Sequence, residues 1–453
     1  MVRLAGMSRR VRAGSRWRIA AAGAVLVVGA AACSSSSSST QAASSPAPSA
    51  PAGTAASSPA VAATTGSGAT GGVTDFVQYT GGKAGPADNS LSPVTIGWVN
   101  EQGGPPSQTF PEATRAAQAT VKYINTSLGG IQGHPVQLAT CFIVTSEAQG
   151  TTCGQQMENT KGVEVIAEGI DAIGNASMYS VLNGSIPTLV GVSADPADDT
   201  GKNVFELEGG GTSATVAFGP FMRKQFPSAK TVAIAYQNLP GAVPISQAIQ
   251  KSAQANGFTV TMLPYSSTAT DLTGTATQLE NADIMVPDCG FVDCPLMAKA
   301  LNSIGATKPA ISVPLWTDLP GKAYPNGDLP QWIAGEATAN LADQTAPDVA
   351  AYFKAIEGAG LAQADAISPF AGVAFGSLLL AAKVMNQIPS ASLSPSAVSA
   401  ALKAYKGPIP LGPTTIDCSG TLFPKDTNAC SDYDQFYQYS GHGQWKLLEG
   451  WSN

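Results

Sequence analysis

Between residues 94 and 313 the chain repeats one pattern: a short run of aliphatic and β-branched residues, then a stretch with helical spacing. Val94-Thr95-Ile96-Gly97-Trp98-Val99 is such a run, ending in a Gly/Pro-rich loop. In 112–127, Ala113, Ala116, Ala117, Val121 and Ile124 share one helical face, and Gly129-Gly130 stops the helix. Strands are expected at 136–144, 163–167 and 188–192, and helices at 147–161 and 176–183. The alternation restarts after Gly209-Gly210-Gly211. Helices are then expected at 212–226, 243–256, 271–281 and 294–304, and strands at 231–236, 259–263, 284–286 and 310–313. Strand–helix alternation produces βαβ units, because parallel neighbours need a crossover rather than a hairpin. The expected fold is therefore α/β, with two doubly wound parallel-sheet lobes. A helix-rich stretch follows at 346–404, most apolar over 369–385. The last 45 residues read as strands and turns around Cys418 and Cys430.

The N-terminus places such a body outside the cytoplasm. Arg3, Arg9, Arg10, Arg12, Arg16 and Arg18 precede an apolar run of 14 residues, Ile19 to Ala32; then come Cys33 and six serines. That order fits a lipoprotein signal peptide over 1–32, with Cys33 as the lipidated residue. A spanning helix needs about 20 apolar residues. Ala30 stands where Leu or Val is usual three residues before the cysteine, so simple secretion is the competing reading. Residues 33–85 are mostly Ser, Ala, Thr, Gly and Pro, a composition that suits a disordered tether. Gly66-Ser67-Gly68-Ala69-Thr70-Gly71 matches G-x-G-x-x-G inside it. It follows no strand and opens no helix, so it is an accident of composition.

Beyond residue 32 the chain has 18 basic against 31 acidic residues, a net charge of −13, with Arg115 and Arg223 its only arginines. No basic stripe supports nucleic-acid binding, and the acidity suits solubility. Six cysteines remain after Cys33. An even number in an exported chain points to disulfides, and six allow 15 pairings. Clustering favours Cys141–Cys153, Cys289–Cys294 and Cys418–Cys430, each stabilising by roughly 2–3 kcal/mol. A zinc site would need tight Cys/His spacing, and the sequence has no C-x-x-C and only His134 and His442.

Ligands of parallel α/β sheets bind beyond the carboxyl ends of the strands. Two such edges facing one another make a cleft that can close by hinge motion. Trp98, Tyr236, Phe291 and Trp316 fall at expected strand ends, where aromatic walls suit an apolar, ring-bearing or cationic solute. Each can equally pack a lobe edge.

Residues 94–98, the helix ending Tyr123-Ile124-Asn125, and Gly129-Gly130-Ile131-Gln132-Gly133-His134-Pro135-Val136 resemble the opening of type I periplasmic-binding proteins. The similarity is to the leucine/isoleucine/valine-binding-like receptors of ATP-binding-cassette importers. Ser185-Ile186-Pro187, Gly191-Val192-Ser193 and the Cys418…Cys430…Gln444-Trp445-Lys446 pattern extend it over about 92–450. The resemblance implies two lobes joined by three crossovers: 92–211 with 335–411, and 212–334 with 412–453. It implies a receptor that binds a small molecule (an amino acid, an amide or a related polar solute) and hands it to a membrane permease. It implies no catalysis and no cofactor, and a monomer.

In amino-acid-binding members the loop after strand three supplies a hydroxyl and backbone groups to a carboxylate. Here that loop carries Asp171, Ala172 and Ile173; it lacks Ser or Thr, and Asp171 would repel a carboxylate. The loop after strand four offers Gly191 and Ser193 to a polar head. Phe291 stands where an aromatic packs on the ligand, and Trp316 and Asp318 near the place of the ammonium-holding acid. Asp171 and Asp318 also suit helix caps. Enzymatic readings find little support: the body has no G-x-S-x-G, S-x-x-K or H-E-x-x-H. A ligand sensor for a membrane receptor and, more remotely, a secreted hydrolase stand as alternatives.

Overall fold

The computed structural model describes residues 72–104, 109–209, 213, 215–239, 242–289, 293–312, 331–423, 426–441 and 444–453, all within one unit spanning 66–453. Cys33, the signal segment and most of the expected tether lie outside the described residues.

A short helix, α1 (Phe76–Thr80), opens the body, capped by the Asp75 side chain on the Gln78 amide. The tether therefore ends earlier than the expected residue 85. Phe76 and Tyr79 are buried, and the Phe76 ring packs edge-on against Phe375.

The first sheet is all parallel, in the order β2 (Val136–Ile143), β1 (Val94–Glu101), β3 (Val163–Ile170), β4 (Thr188–Val192) and β5 (Val204–Glu206). Its register sets Val94 beside Val136 and Trp98 beside both Thr140 and Ala167. The intervening helices are α2 (Pro111–Ser127), α3 (Glu147–Asn159) and α4 (Asn175–Leu182). α3 and α4 cover one face, where Cys153, Met157, Met178 and Leu182 pack on Val99 and Ile166.

The second sheet runs β14-β13-β10-β9-β8-β6-β7. Its parallel strands are β6 (Thr231–Gln237), β7 (Thr259–Tyr265), β8 (Ile284–Asp288), β9 (Ala310–Ser312) and β10 (Trp332–Glu336). β13 (Asp434–Gly441) and β14 (Gln444–Ser452) add an antiparallel edge. On one face, helices α5 (Phe218–Gln225) and α6 (Ala242–Ala255) bury Phe218, Phe221 and Ile249. On the other, α7 (Thr273–Leu279) and α8 (Cys294–Ser303) bury Leu279, Met297 and Leu301.

Between β10 and β13 the chain returns to the first lobe. It adds α9 (Pro347–Ala359), α10 (Gln363–Ala366), α11 (Pro369–Asn386) and α12 (Pro395–Lys403). α9 and α11 pack on α2, and α11 also covers β3 and β4. The small ladder β11 (Lys406–Gly407) with β12 (Ile416–Asp417) follows.

Two of the expected lobe boundaries shift. β10 belongs to the second sheet through Glu336, pairing Ile333 with Gln438, so the second crossing starts after 336 rather than at 335. Residues 412–430 stay with the first lobe. Ile416, Cys418 and Cys430 lie in its core, and backbone bonds of 2.9 Å run from Glu206 N to Asn428 O and from Cys430 N to Glu206 O. The third crossing is thus 431–433, because the Cys418–Cys430 loop buries its apolar residues against β5. All three local disulfides are formed.

Candidate functional site

The carboxyl ends of β1, β3, β4 and β5 form one edge of the first lobe, and carboxylates crowd it. Glu101 ends β1 and accepts from the Ala172 amide at 3.0 Å. Glu168, near the end of β3, accepts from Asn175 Nδ2 and, at 3.0 Å, from Tyr179 Oη. Asp198 accepts from Asn175 Nδ2 and Tyr179 Oη, both at 2.8 Å, and from the amides of Ala194 and Asp195. Glu206 ends β5 and accepts from Ser193 Oγ at 2.9 Å.

Glu101, Glu168, Asp171, Asp198 and Glu206 are each at most 1% exposed. Burial disfavours the ionised form and raises a carboxyl pKa, and neighbouring anions raise it further. Burial first, then Asp198, lifts Glu168 well above the usual carboxylate range. Burial carries Asp198 up to about 7 despite its donors. Asp171 is the extreme case. Burial, then Glu168 and Glu101, raises it well above its ordinary value, and neither carboxyl oxygen has a hydrogen-bond partner.

Opposite this edge, β8 ends in Asp288, which accepts from Ser246 Oγ on α6 and is carried by burial to about 7. A gap of about 30 Å³ lies between the lobes. It is lined by Ser193, Ala194, Asp195, Pro196 and Asp199 after β4 and by Pro244 and Ile245 on α6. A larger cavity of about 810 Å³ is lined by Gly184, Lys202, Asn203 and Lys403. It opens where β4 and β5 begin, at the amino ends of the strands, away from the edge where such sheets bind ligands.

The structure distributes the expected site residues unevenly. Ser193 lines the inter-lobe gap. Ala172 is exposed and Ile173 half-buried on the β3 loop, and Tyr236 is half-buried at the end of β6. Asp171 lies beneath the surface. Trp98 has no exposed area; its indole nitrogen donates to Thr114 Oγ1 at 3.0 Å, bracing α2, so it is core rather than a cleft wall. Gly191 is a packing position: a Cβ there would meet Val373 Cγ1 at 2.3 Å, so the glycine lets α11 approach β4. Phe291, Trp316 and Asp318 lie outside the described residues.

Glu101, Glu168, Asp195, Asp198 and Glu206 were missed from sequence. Their signal was an acidic residue closing an otherwise buried apolar strand, as at Glu168 and Glu206, which costs free energy unless something compensates.

Two α/β lobes, three crossovers and an edge-to-edge gap define a hinged binding protein. Residues 93–424 match the periplasmic binding protein family, and the chain belongs to it. Among solved structures it is similar to an extracellular ligand-binding receptor from Verminephrobacter eiseniae, at 17% identity and a TM-score of 0.65, covering 78% of this chain and all of that one. A solute-binding protein of an ABC transporter from Rhodopseudomonas palustris HaA2, in complex with p-hydroxybenzoic acid, aligns at 17% identity and a TM-score of 0.63, over 80% of this chain and 96% of that one. An ABC transporter substrate-binding protein from Desulfitobacterium hafniense, in complex with Leu, aligns at 13% and 0.62, over 79% and 100%. No curated protein matches the sequence.

Proposed function

We propose that the protein is the extracytoplasmic receptor of an ATP-binding-cassette importer, closing its two lobes on a small solute and presenting it to a permease. It acts as a monomer without catalysis, held to the membrane by lipid on Cys33. The observation that carries the reading is the gap shared by the segment after β4 and the start of α6. A solute held there would touch both lobes and so favour the closed state over the open one.

The chemistry of the edge narrows the solute. Ser193 and Asp195 present a hydroxyl and a carboxylate to the gap. Asp195 accepts hydrogen bonds, and the Ser193 hydroxyl, whose proton goes to Glu206, is left to accept as well, so the gap suits an ammonium, amide or hydroxyl head better than a bare carboxylate. The relatives that hold p-hydroxybenzoic acid and leucine bind donor-bearing solutes of the size this class would include.

A thermal-shift screen tests this. Neutral and aromatic amino acids, amides, polyamines, sugars and aromatic acids are each added to ligand-free protein. A ligand specific to the folded state adds about 2.7 kcal/mol at a hundred times its Kd. A shift with donor-bearing solutes that Ser193→Ala weakens supports the reading. A shift with simple carboxylates alone overturns the head-group assignment, and no shift with any solute overturns the receptor assignment.

A further inference from the structure

The cavity of about 810 Å³ at the amino ends of β4 and β5 stands apart from the cleft, and its chemistry is the reverse of the acidic edge. Beyond residue 32 acids outnumber bases 31 to 18. Yet among the described residues no Asp or Glu lines this cavity, while Lys202 and Lys403 both do. Serine, threonine and asparagine make up most of the remaining wall. We propose that the cavity binds an anionic carbohydrate, a sugar ring bearing a carboxylate or phosphate group.

The volume falls within the roughly 300–1,000 Å³ range of small-molecule sites. The two lysines supply the charge. Lys202 Nζ donates to Asn183 Oδ1 at 2.7 Å, which steadies the side chain and leaves two of its three donors for a ligand. Lys403 is exposed at the end of α12, with its ammonium unpaired among the described residues. Ser396 and Ser399 lie three and four residues apart along the same helix, on the face that carries Lys403. Two acids beside the wall are engaged: Glu158 accepts from Ser185 Oγ at 3.1 Å, and Asp417 pairs with Lys406 at 2.8 Å. Hydroxyl and amide side chains both donate and accept, as a ligand with several hydroxyls requires. The buried lining residues Val204, Phe205 and Cys418 offer apolar surface to the C–H face of a sugar ring.

The walls are tied to one another before any ligand arrives. They come from the turns before β4 and β5, from α12, and from the Cys418–Cys430 loop. Ser399 Oγ donates to Asn203 Oδ1, Asn203 Nδ2 donates to Gly184 O at 3.1 Å, and Asn428 Nδ2 donates to Gly201 O at 2.9 Å. Asn203 makes its bonds from a left-handed φ of 61°, a region asparagine enters more readily than most residues. Every wall belongs to the first lobe, so the cavity is present whether the cleft is open or closed. The site is therefore independent of the solute held between the lobes.

Calorimetric titration of ligand-free protein at low salt tests the assignment, with glucuronate, glucose 6-phosphate and trigalacturonate run beside neutral glucose. The expected result is an anionic sugar bound about tenfold or more tighter than glucose, with an affinity that falls as salt screens the lysines. Lys403→Gln and Lys202→Gln should each weaken binding by about tenfold or more, the worth of a hydrogen bond to a charged group. Both lysines are exposed, so the ligand-free Tm should change little. Lys251→Gln, at an exposed lysine on α6 in the other lobe, should bind as the parent does. Tighter binding of trigalacturonate than of the single sugars assigns the site to a glycan chain, and the reverse assigns it to a free sugar. The proposal falls if millimolar anionic sugar produces neither heat nor a thermal shift, if glucose binds equally well, or if both cavity-lysine variants bind as the parent does.

Discussion

Asp171 sets side-chain chemistry most sharply against its surroundings. It has no exposed area, neither oxygen has a partner, and the charges acting on it most strongly are carboxylates. Its folded pKa stands well above the ordinary value of about 3.9. The folded state therefore keeps a proton that the unfolded chain has already lost. A raised carboxyl contributes its stability fully below the unfolded pKa and loses it as pH rises toward the folded one. Asp171→Asn keeps the shape and removes the titration. Urea denaturation should find the variant more stable than the parent at pH 8, with the advantage shrinking toward pH 5. A pH-independent difference would show that the carboxyl does not titrate in that window. Its neighbour Asn100 shows the opposite case, a buried polar side chain with its needs met. It donates to Phe110 O and Thr114 Oγ1 and accepts from the Ile170 amide, so β1, α2 and β3 meet at one amide.

Among the elements, α3 and α4 meet through glycine. A Cβ on Gly150 would lie 1.9 Å from Gly174 O, and one on Gly154 would lie 2.9 Å from Val181 Cβ. Backbone blocks the first contact, so no side chain can rotate away. Gly150→Val should cost at least about 1–3 kcal/mol by overpacking, with a matching fall in the urea midpoint; an unchanged midpoint would mean that α3 and α4 are not packed this closely. That contact was invisible in the sequence, where Gly150 reads only as a poor helix former. Other elements were plain. The run at 94–99 and the spacing of Ala113, Ala116, Val121 and Ile124 each have one period, and the structure forms β1 and α2 there. α11 was legible as the most apolar stretch. It is long and apolar enough to cross a membrane, yet 83% of its 18-residue window is buried within the protein, so it is a core helix. β5 and β10 escaped notice. β5 has only three residues, and Trp332-Ile333-Ala334-Gly335-Glu336 is too short to show a period. The site was legible as an edge, because strand ends follow from strands. Its acids were not, because the folded chain gathers Glu101, Glu168, Asp198 and Glu206 from positions that share no local pattern.

At the scale of the whole molecule, each crossing between the lobes carries an acid or is flanked by one. Glu208 follows β5, Glu336 ends β10 and Asp434 begins β13. They feel one another: Glu336 is the strongest charge acting on both Glu208 and Asp434, after burial itself, and both are raised well above the carboxylate range. Neither oxygen of Asp434 has a hydrogen-bond partner. Burial carries Glu336 up to about 8. Three ionised carboxyls in so small a space would repel, so the folded connection between the lobes is neutralised by protons. For Glu336 the direction follows from linkage. Its unfolded value is about 4.3, so its contribution is whole below that pH and is lost as pH rises through 8. Asp198 and Asp288, each raised to about 7, act in the same direction. The Tm should therefore fall between pH 5.5 and 8.5. Glu336→Gln should flatten that fall without abolishing it, since the other acids still titrate. Melting curves of parent and variant across this range decide the matter: equal slopes would mean that the connection between the lobes is not held by protons on its acids.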